Sequence, residues 1–203
     1  MIPQQAINIV VDLWPMIILI SVVLITVRLT YLITNHKKII IYRELISLSF
    51  VLYIVLLFSL VTTSDFESFS NNFIPFKEIF RYKLTSKLFY RNVIGNIVLF
   101  MPFGYFASYY IKVKKRWFIP LIITIITSLT IELIQMGIGR SFDVDDILLN
   151  VIGGLFGYLF YYLGEKLFNK YSEKYKNNLL LNIICIIIII VLSYIILNLY
   201  GVG

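Results

Sequence analysis

The chain has 203 residues, of which 60% are apolar and 14% are charged, and its mean hydropathy is +0.89. Soluble globular chains carry about 25% charged residues, so this composition excludes a water-soluble enzyme. A single cysteine and a single histidine exclude a disulfide-stapled secreted domain, a thiolate zinc site and any mechanism that needs two imidazoles. The net charge of +7 bears on membrane orientation, and no nucleic-acid partner is predicted.

Long apolar stretches dominate the chain. A membrane-spanning helix needs about 20 mostly apolar residues, and six stretches meet that requirement: Trp14–Thr34, Leu45–Thr62, Asn92–Ile111, Trp117–Met136, Ile147–Leu163 and Leu179–Tyr200. The sequence therefore predicts an all-α, polytopic transmembrane helical bundle of about six spans. We expect residues 1–203 to form a single membrane domain, with the lipid bilayer as its first partner.

Lysines and arginines are distributed unequally between the connections. The first, third and fifth connections carry 11 of them, and the opposite side carries 6. Because basic residues concentrate in cytoplasmic loops, this bias predicts a multi-pass protein of the cell membrane with both termini extracellular. The five positive charges of the long loop 63–91 oppose the rule locally.

The long second loop contains an amphipathic pattern. From Phe76 onward, apolar residues stand at positions 76, 79, 80, 84 and 88, with lysines and arginines between them. This spacing predicts an amphipathic helix that lies on the bilayer surface.

Polar residues of the spans gather at the ends predicted to lie outside. Ionisable and amide groups are costly inside a bilayer, so their positions point to function or to interhelical hydrogen bonds. The candidate ligand-binding residues are Arg91, Asn92, Asn96, Gln135, Arg140 and Asn150. Glu132 and Asp146 are the candidate catalytic residues, and Asp143 and Asp146 the candidate ligands of a divalent cation.

Two predicted helix starts lie on this side, at Asn92 and near Asp146. Helix N-termini attract anions, and Arg91 and Arg140 would add full positive charges. The aspartates at the second start repel an anion. Either a divalent cation bridges them to a phosphate, or they pair with the arginines and hold the loop. Asp145 or Asp146 also suits the N-cap of the fifth helix.

Ordered motifs in the chain resemble the VanZ-like membrane protein family. They are Asn-Phe-Ile-Pro-Phe at 72–76, Asn92-x-x-Gly95-Asn96-x-x-Leu99-Phe100-x-Pro102-x-Gly104, Glu132-x-x-Gln135, Gly139-Arg140-Ser-Phe-Asp143-Val-Asp145-Asp146, and Asn150-x-x-Gly153. The resemblance covers residues 45–165. It implies a bacterial cell-envelope protein and an association with reduced susceptibility to teicoplanin and related lipoglycopeptides. It implies no particular reaction.

Three functions are compatible with these residues. The first is a non-catalytic protein whose outward-facing polar pocket binds an undecaprenyl-linked lipid precursor or the glycopeptide itself. The second is a membrane-embedded enzyme acting on a lipid phosphate or an envelope glycan, with Glu132 as general base. The third is a small transporter or flippase with helices broken near Pro102 and Gly153. The sequence leaves catalysis and oligomeric state open.

Overall fold

The computed structural model describes residues 4–63, 71–111, 117–171, 181–183 and 186–187. In that part of the chain the helices are α1 (Gln4–Thr34), α2 (Ile41–Thr63), α3 (Lys77–Arg81), α4 (Lys87–Phe89), α5 (Gly95–Ile111), α6 (Phe118–Gly137) and α7 (Val144–Tyr171). A π-helical turn, Tyr90–Ile94, joins α4 to α5. The same residues contain no β-strand, and a single isolated bridge pairs Asn72 with Asp143.

Five helices are long and apolar enough to cross a membrane, which confirms the predicted polytopic helical fold. The segments are Pro15–Thr34, Ile41–Ser59, Lys87–Ile111, Phe118–Gly137 and Val144–Leu167. In lipid, a helix satisfies its backbone hydrogen bonds internally, which is why these apolar stretches become helices. The sixth predicted span, Leu179–Tyr200, lies outside the described residues except for helical residues at 181–183 and 186–187.

The chain divides into two compact units. Unit 1 comprises residues 1–56 and 169–203, and unit 2 comprises residues 57–168. In unit 1, the Arg28 guanidinium donates to both carboxylate oxygens of Glu44, at 2.6 and 3.1 Å. An arginine inside a span can reach the headgroups by extending its side chain, but here it is held by an acid of the next helix. The Tyr42 N–H also donates to Asn182 Oδ1 at 3.1 Å.

In unit 2, α5 and α7 approach each other backbone to backbone. A Cβ placed on Gly153 would overlap the carbonyl group of Ile97, and one placed on Gly157 would overlap the carbonyl oxygen of Met101. Lipid gives no hydrophobic driving force between spanning helices, so small residues that allow close contact are a main source of helix association. Gly153 and Gly157, which are four residues apart on α7, therefore pack against α5.

The close contact extends to a second pair of glycines and to α6. Gly104 of α5 lies against the backbone of Gly154 in α7, and Gly154 also lies against the Thr124 side chain of α6. Ser108 and Thr124 are fully buried beside this contact. Gly104, Gly153, Gly154 and Gly157 together are called the glycine seam below.

The second loop is helical over shorter pieces than the sequence pattern suggests. Its helix α3 ends at Arg81, a turn follows, and Ser86 caps α4 by accepting from the Phe89 N–H at 3.1 Å. The third span consequently begins at Lys87. Arg91 and Asn92 thus lie inside a helix, and the predicted helix start at Asn92, with its anion-binding N–H groups, is wrong.

Candidate functional site

Polar side chains from α5, α6, α7 and their connections meet in one region of unit 2. This region is called the polar cluster, and its members are Asn96, Glu132, Gln135, Arg140, Asp143, Asp146 and Asn150. All of them were candidates from the sequence.

The end of α6 places Gln135 and Arg140. The helix stops at Gly137, and Gly139 adopts a φ of +91°, which glycine tolerates without strain. The Arg140 N–H then donates to the Gln135 carbonyl at 2.9 Å, and the Gly139 N–H donates to the Met136 carbonyl at 3.2 Å. This is a Schellman motif, and it folds Arg140 back over the last turn of α6.

One face of α6 is polar and buried. Thr124, Ser128, Glu132 and Gln135 recur at helical spacing and are each at most 6% exposed. The Glu132 Oε2 accepts from the Asp143 N–H at 3.0 Å. The carboxylate thereby joins the end of α6 to the start of α7, where unpaired backbone N–H groups favour an acceptor.

Two further hydrogen bonds tie α7 to its neighbours. The Asn96 amide donates to Asp146 Oδ1 at 2.6 Å and joins α5 to α7. One turn along α7, the Asn150 amide donates to Ser128 Oγ at 2.9 Å and joins α7 to α6. Three helices therefore exchange side-chain hydrogen bonds through adjacent turns of α7.

Arg140 supplies the positive charge of the cluster. Its guanidinium interacts electrostatically with both Glu132 and Asp146, which also interact with each other. Asp146 is half-buried and Glu132 is 2% exposed. Two carboxyl groups and one guanidinium can accept and donate hydrogen bonds to a polar ligand from a nearly dry site.

A clip of hydrogen bonds joins the second loop to the start of α7. The Asn72 N–H donates to the Phe142 carbonyl at 2.8 Å, and the Val144 N–H donates to the Asn72 carbonyl at 3.0 Å. The Asn72 side chain donates to Asp143 Oδ1 at 2.8 Å, and the rings of Phe73 and Phe142 stack 5.3 Å apart. These residues are called the loop clip.

Asp143 serves as the N-cap of α7, because its Oδ1 accepts from the Asp145 N–H at 2.9 Å. Burial raises the pKa of the Asp143 carboxyl above its ordinary value, and the donors from Asp145 and Asn72 oppose that shift. The carboxyl group predicted to bind a cation is thus engaged with the backbone and with Asn72.

Asp145 has a structural role that its neighbours in sequence do not reveal. Its Oδ1 accepts from the Phe76 N–H, and its Oδ2 accepts from the N–H groups of Glu78 at 2.7 Å and Ile79 at 3.2 Å. Asp145 is 1% exposed. It therefore fixes the start of α3, a helix from the second loop, whereas the sequence suggested a cap on α7.

The start of the third span contains Asn92, which donates to the Tyr82 hydroxyl at 2.9 Å and accepts from Arg91 Nε at 3.2 Å. The π-helical turn ends with the Gly95 N–H donating to the Tyr90 carbonyl, a geometry that is frequent at functional sites. Arg91 is exposed, and the described hydrogen bonds of Arg91 and Asn92 join them to each other and to Tyr82, not to the polar cluster.

Sequence reasoning missed two residues that organise this region. Asn72 is 4% exposed and bonds across the loop clip, and Tyr82 holds Asn92. Ser128, which holds Asn150, stands on the same face of α6 as Glu132 and Gln135. Asn72 carried a signal, since it opens the Asn-Phe-Ile-Pro-Phe motif. In the described part of the chain, no three His, Cys, Asp or Glu side chains form an arrangement suited to a metal ion, and the divalent cation stays a prediction.

The sequence model of the VanZ/LLP1 family matches residues 45–169. The comparisons with curated proteins and with solved structures gave no match. The matched range is more than half of the chain and contains the glycine seam, the loop clip and the polar cluster. The resemblance seen in the motifs is thereby confirmed, and the chain belongs to the VanZ/LLP1 family as a multi-pass membrane protein.

Proposed function

We propose that the chain is a non-catalytic VanZ-type protein of the bacterial cell envelope. Its polar cluster forms a pocket that binds the polar part of a lipid-linked precursor, such as an undecaprenyl-linked lipid, or of a glycopeptide. Occupancy of this pocket lowers the susceptibility of the cell to teicoplanin and related lipoglycopeptides.

The observation that carries the proposal is the meeting of Glu132, Asp146 and Arg140 at the ends of spanning helices. Ionisable groups at such positions are costly in lipid and mark binding or transport sites by default. Their amide neighbours Asn96 and Asn150 are already oriented by hydrogen bonds. A preorganised set of donors and acceptors binds a polar group with little further loss of side-chain entropy.

The proposed orientation places this pocket on the outer face, where the precursors and the antibiotic meet the membrane. It is supported by the excess of lysine and arginine in the other set of connections. Ser141→Cys in a Cys185→Ser background tests it. A membrane-impermeant maleimide added to intact cells should label the introduced thiol, and labelling only after lysis would overturn the orientation.

Binding is tested with the full chain in nanodiscs, titrated with an undecaprenyl-pyrophosphate-linked precursor and, separately, with teicoplanin. Arg140→Gln should weaken the binding of one of them by roughly 10-fold to 100-fold, since hydrogen bonds to charged groups contribute about 1.5–3 kcal/mol. Arg43 lies in unit 1, and Arg43→Gln is the matched control. This variant should bind both compounds as the native chain does. No affinity for either compound in the native chain would refute the proposal.

A second candidate function is favoured by the electrostatic interaction of Glu132 with Asp146 beside Arg140. In this alternative the chain is a membrane-embedded enzyme acting on a lipid phosphate or an envelope glycan. Glu132 is the general base, Asp143 and Asp146 hold a divalent cation, and Arg140 stabilises developing negative charge.

Glu132→Gln separates the two functions. The amide oxygen of glutamine can still accept from the Asp143 N–H, so the fold and a binding pocket should persist. A binding protein then keeps ligand affinity and its effect on teicoplanin susceptibility in cells. An enzyme keeps affinity but loses turnover and the cellular effect, because glutamine cannot take up a proton at neutral pH.

A further inference from the structure

Residues 76–91, called the interfacial segment, expose large apolar side chains and basic side chains on the same stretch of chain. Large apolar side chains on it are exposed to between 50% and 82%: Phe76, Phe80, Leu84 and Leu88. Basic side chains stand between them and are exposed as well: Lys77, Arg81, Lys83, Lys87 and Arg91. Neither water nor hydrocarbon alone suits this surface.

The exposure of these apolar side chains is built into the structure. Asp145 holds the start of α3 through three backbone N–H groups. The Tyr82 hydroxyl accepts from Asn92, and Ser86 caps α4. These bonds engage backbone and hydroxyl groups of the segment and leave the side chains of Phe76, Phe80, Leu84 and Leu88 exposed.

The net charge of the segment is positive. Residues 76–91 contain five basic residues and one acid, Glu78, which is paired with Arg81 at 3.0 Å. A rim of positive charge around apolar side chains is the pattern of segments that lie at the boundary between lipid headgroups and acyl chains. Anionic headgroups attract each basic residue near the surface, while the aromatic side chains enter the acyl boundary.

We propose that the interfacial segment is a docking surface for the anionic phospholipid headgroups of the leaflet next to the polar cluster, and phosphatidylglycerol is the probe for them. Phe80 and Leu84 enter the acyl boundary, and Lys83 and Lys87 contact the headgroup phosphates. The proposal is independent of what the polar cluster binds. It also accounts for the five positive charges that oppose the positive-inside rule in this loop, because these charges serve lipid contact.

The first test measures phosphatidylglycerol binding to the full-length protein in detergent by native mass spectrometry, with phosphatidylcholine as the neutral lipid. The matched variants are Lys83→Gln/Lys87→Gln and Lys38→Gln/Lys166→Gln, each of which removes two exposed lysines. At about fivefold per lysine, the first should weaken phosphatidylglycerol binding roughly 25-fold. The second should change it by less than about twofold.

Equal weakening by both double variants, or equal affinity of the native chain for the two lipids, would overturn the proposal. Stronger displacement of phosphatidylglycerol by a soluble polyanion than by excess lipid would also overturn it and would indicate a different occupant. All variants change exposed side chains, and a shared melting temperature checks that the fold is retained.

A second measurement reports the depth of the segment. Phe80→Trp in a Trp14→Phe/Trp117→Phe background provides a single fluorophore in vesicles containing phosphatidylglycerol. Lipids brominated near the headgroup end of the acyl chain should quench it strongly, and aqueous acrylamide should quench it weakly. The reverse pattern would place the segment in water and refute the docking surface.

Discussion

Units 1 and 2 hold their helices in different ways, although both consist of apolar spans. In α1, only 6% of the most apolar stretch is buried within the protein, against 33% in α7. The described contact between α1 and α2 is an ion pair, Arg28 with Glu44. Unit 2 has the glycine seam in addition to interhelical hydrogen bonds. Because lipid is as apolar as leucine, close packing and polar bonds decide association, and among the described residues the close backbone contact lies in unit 2.

The largest expected effect concerns the glycine seam. Gly153→Ala places a methyl group on the Ile97 carbonyl, and this overpacking should lower the free energy of unfolding by about 3 kcal/mol. Gly164→Ala is the control on the same helix, because its added methyl group meets nothing within 4 Å. It should be neutral or raise stability by about 0.5–1 kcal/mol. Equilibrium unfolding in mixed micelles measures the change in the free energy of unfolding for both variants. Equal changes would contradict the close helix contact at the glycine seam.

The next effect concerns Asp145, which accepts three backbone N–H bonds from the second loop. Asp145→Asn removes the charge and one acceptor oxygen, and should lower the free energy of unfolding by about 2 kcal/mol. It should also increase tryptic cleavage at Lys77 and Lys83, since α3 loses its anchor. Glu165→Gln in α7 also removes one carboxylate and is the matched control, which should leave tryptic cleavage unchanged. If both variants resist trypsin equally, Asp145 does not hold the loop.

An intermediate effect is expected for the bond between Ser128 and Asn150. Interhelical hydrogen bonds in membranes contribute about 0.6 kcal/mol on average and at most about 1.7 kcal/mol. A double-mutant cycle with Ser128→Ala and Asn150→Ala should therefore give a coupling energy near 1 kcal/mol. Thr130→Ala, on the exposed side of α6, replaces Ser128→Ala in the control cycle and should give no coupling to Asn150.

A smaller effect depends on pH. Because burial raises the pKa of Asp143, the folded state favours its protonated form. The contribution of Asp143 to the free energy of unfolding is complete below the ordinary pKa of 3.8. It is lost as the pH rises through the pKa that Asp143 has in the folded state. Asp143→Asn cannot ionise, so its melting temperature should match the native chain in acid and exceed it by about 2–4 °C at neutral pH. Parallel melting curves at all pH values would contradict this.

The smallest effect is expected in unit 1. The Arg28 side chain is 52% exposed and that of Glu44 is 22% exposed, and exposed ion pairs typically contribute about 0.2–1 kcal/mol. A cycle with Arg28→Gln and Glu44→Gln should give a coupling energy below that of Ser128 with Asn150. A larger coupling in unit 1 would reverse the comparison between the units.

Much of the fold could be predicted because lipid imposes a simple rule on composition. The apolar stretches predict helix ends at Thr34, Ile111 and Met136, each within a residue of the observed end, since apolar length alone decides a span. The polar residues later found in the cluster were equally visible, because Glu132 and Asp146 stand out in apolar surroundings.

The loop contacts could not be predicted in the same way. Asp145 accepts from backbone groups 66 to 69 residues away, and the pattern around Asp145 shows only that an acid stands near a helix start. The π-helical turn at Tyr90–Ile94 has no periodicity signal of its own, so the sequence predicts a start of the third span at Asn92, whereas the span begins at Lys87. Tyr82 was missed because its contact with Asn92 depends on that turn.

The loop clip joins residues that are 71 positions apart in the chain. During synthesis, the segment around Asn72 leaves the ribosome roughly 4–14 s before Asp143 does, at about 5–20 residues per second. Throughout that interval the segment lacks its partners, and α3 lacks the carboxylate that fixes its start. Closure of the loop clip is therefore a late event in biogenesis. It must follow the membrane insertion of α6 and α7, because Asp143 lies between these two helices.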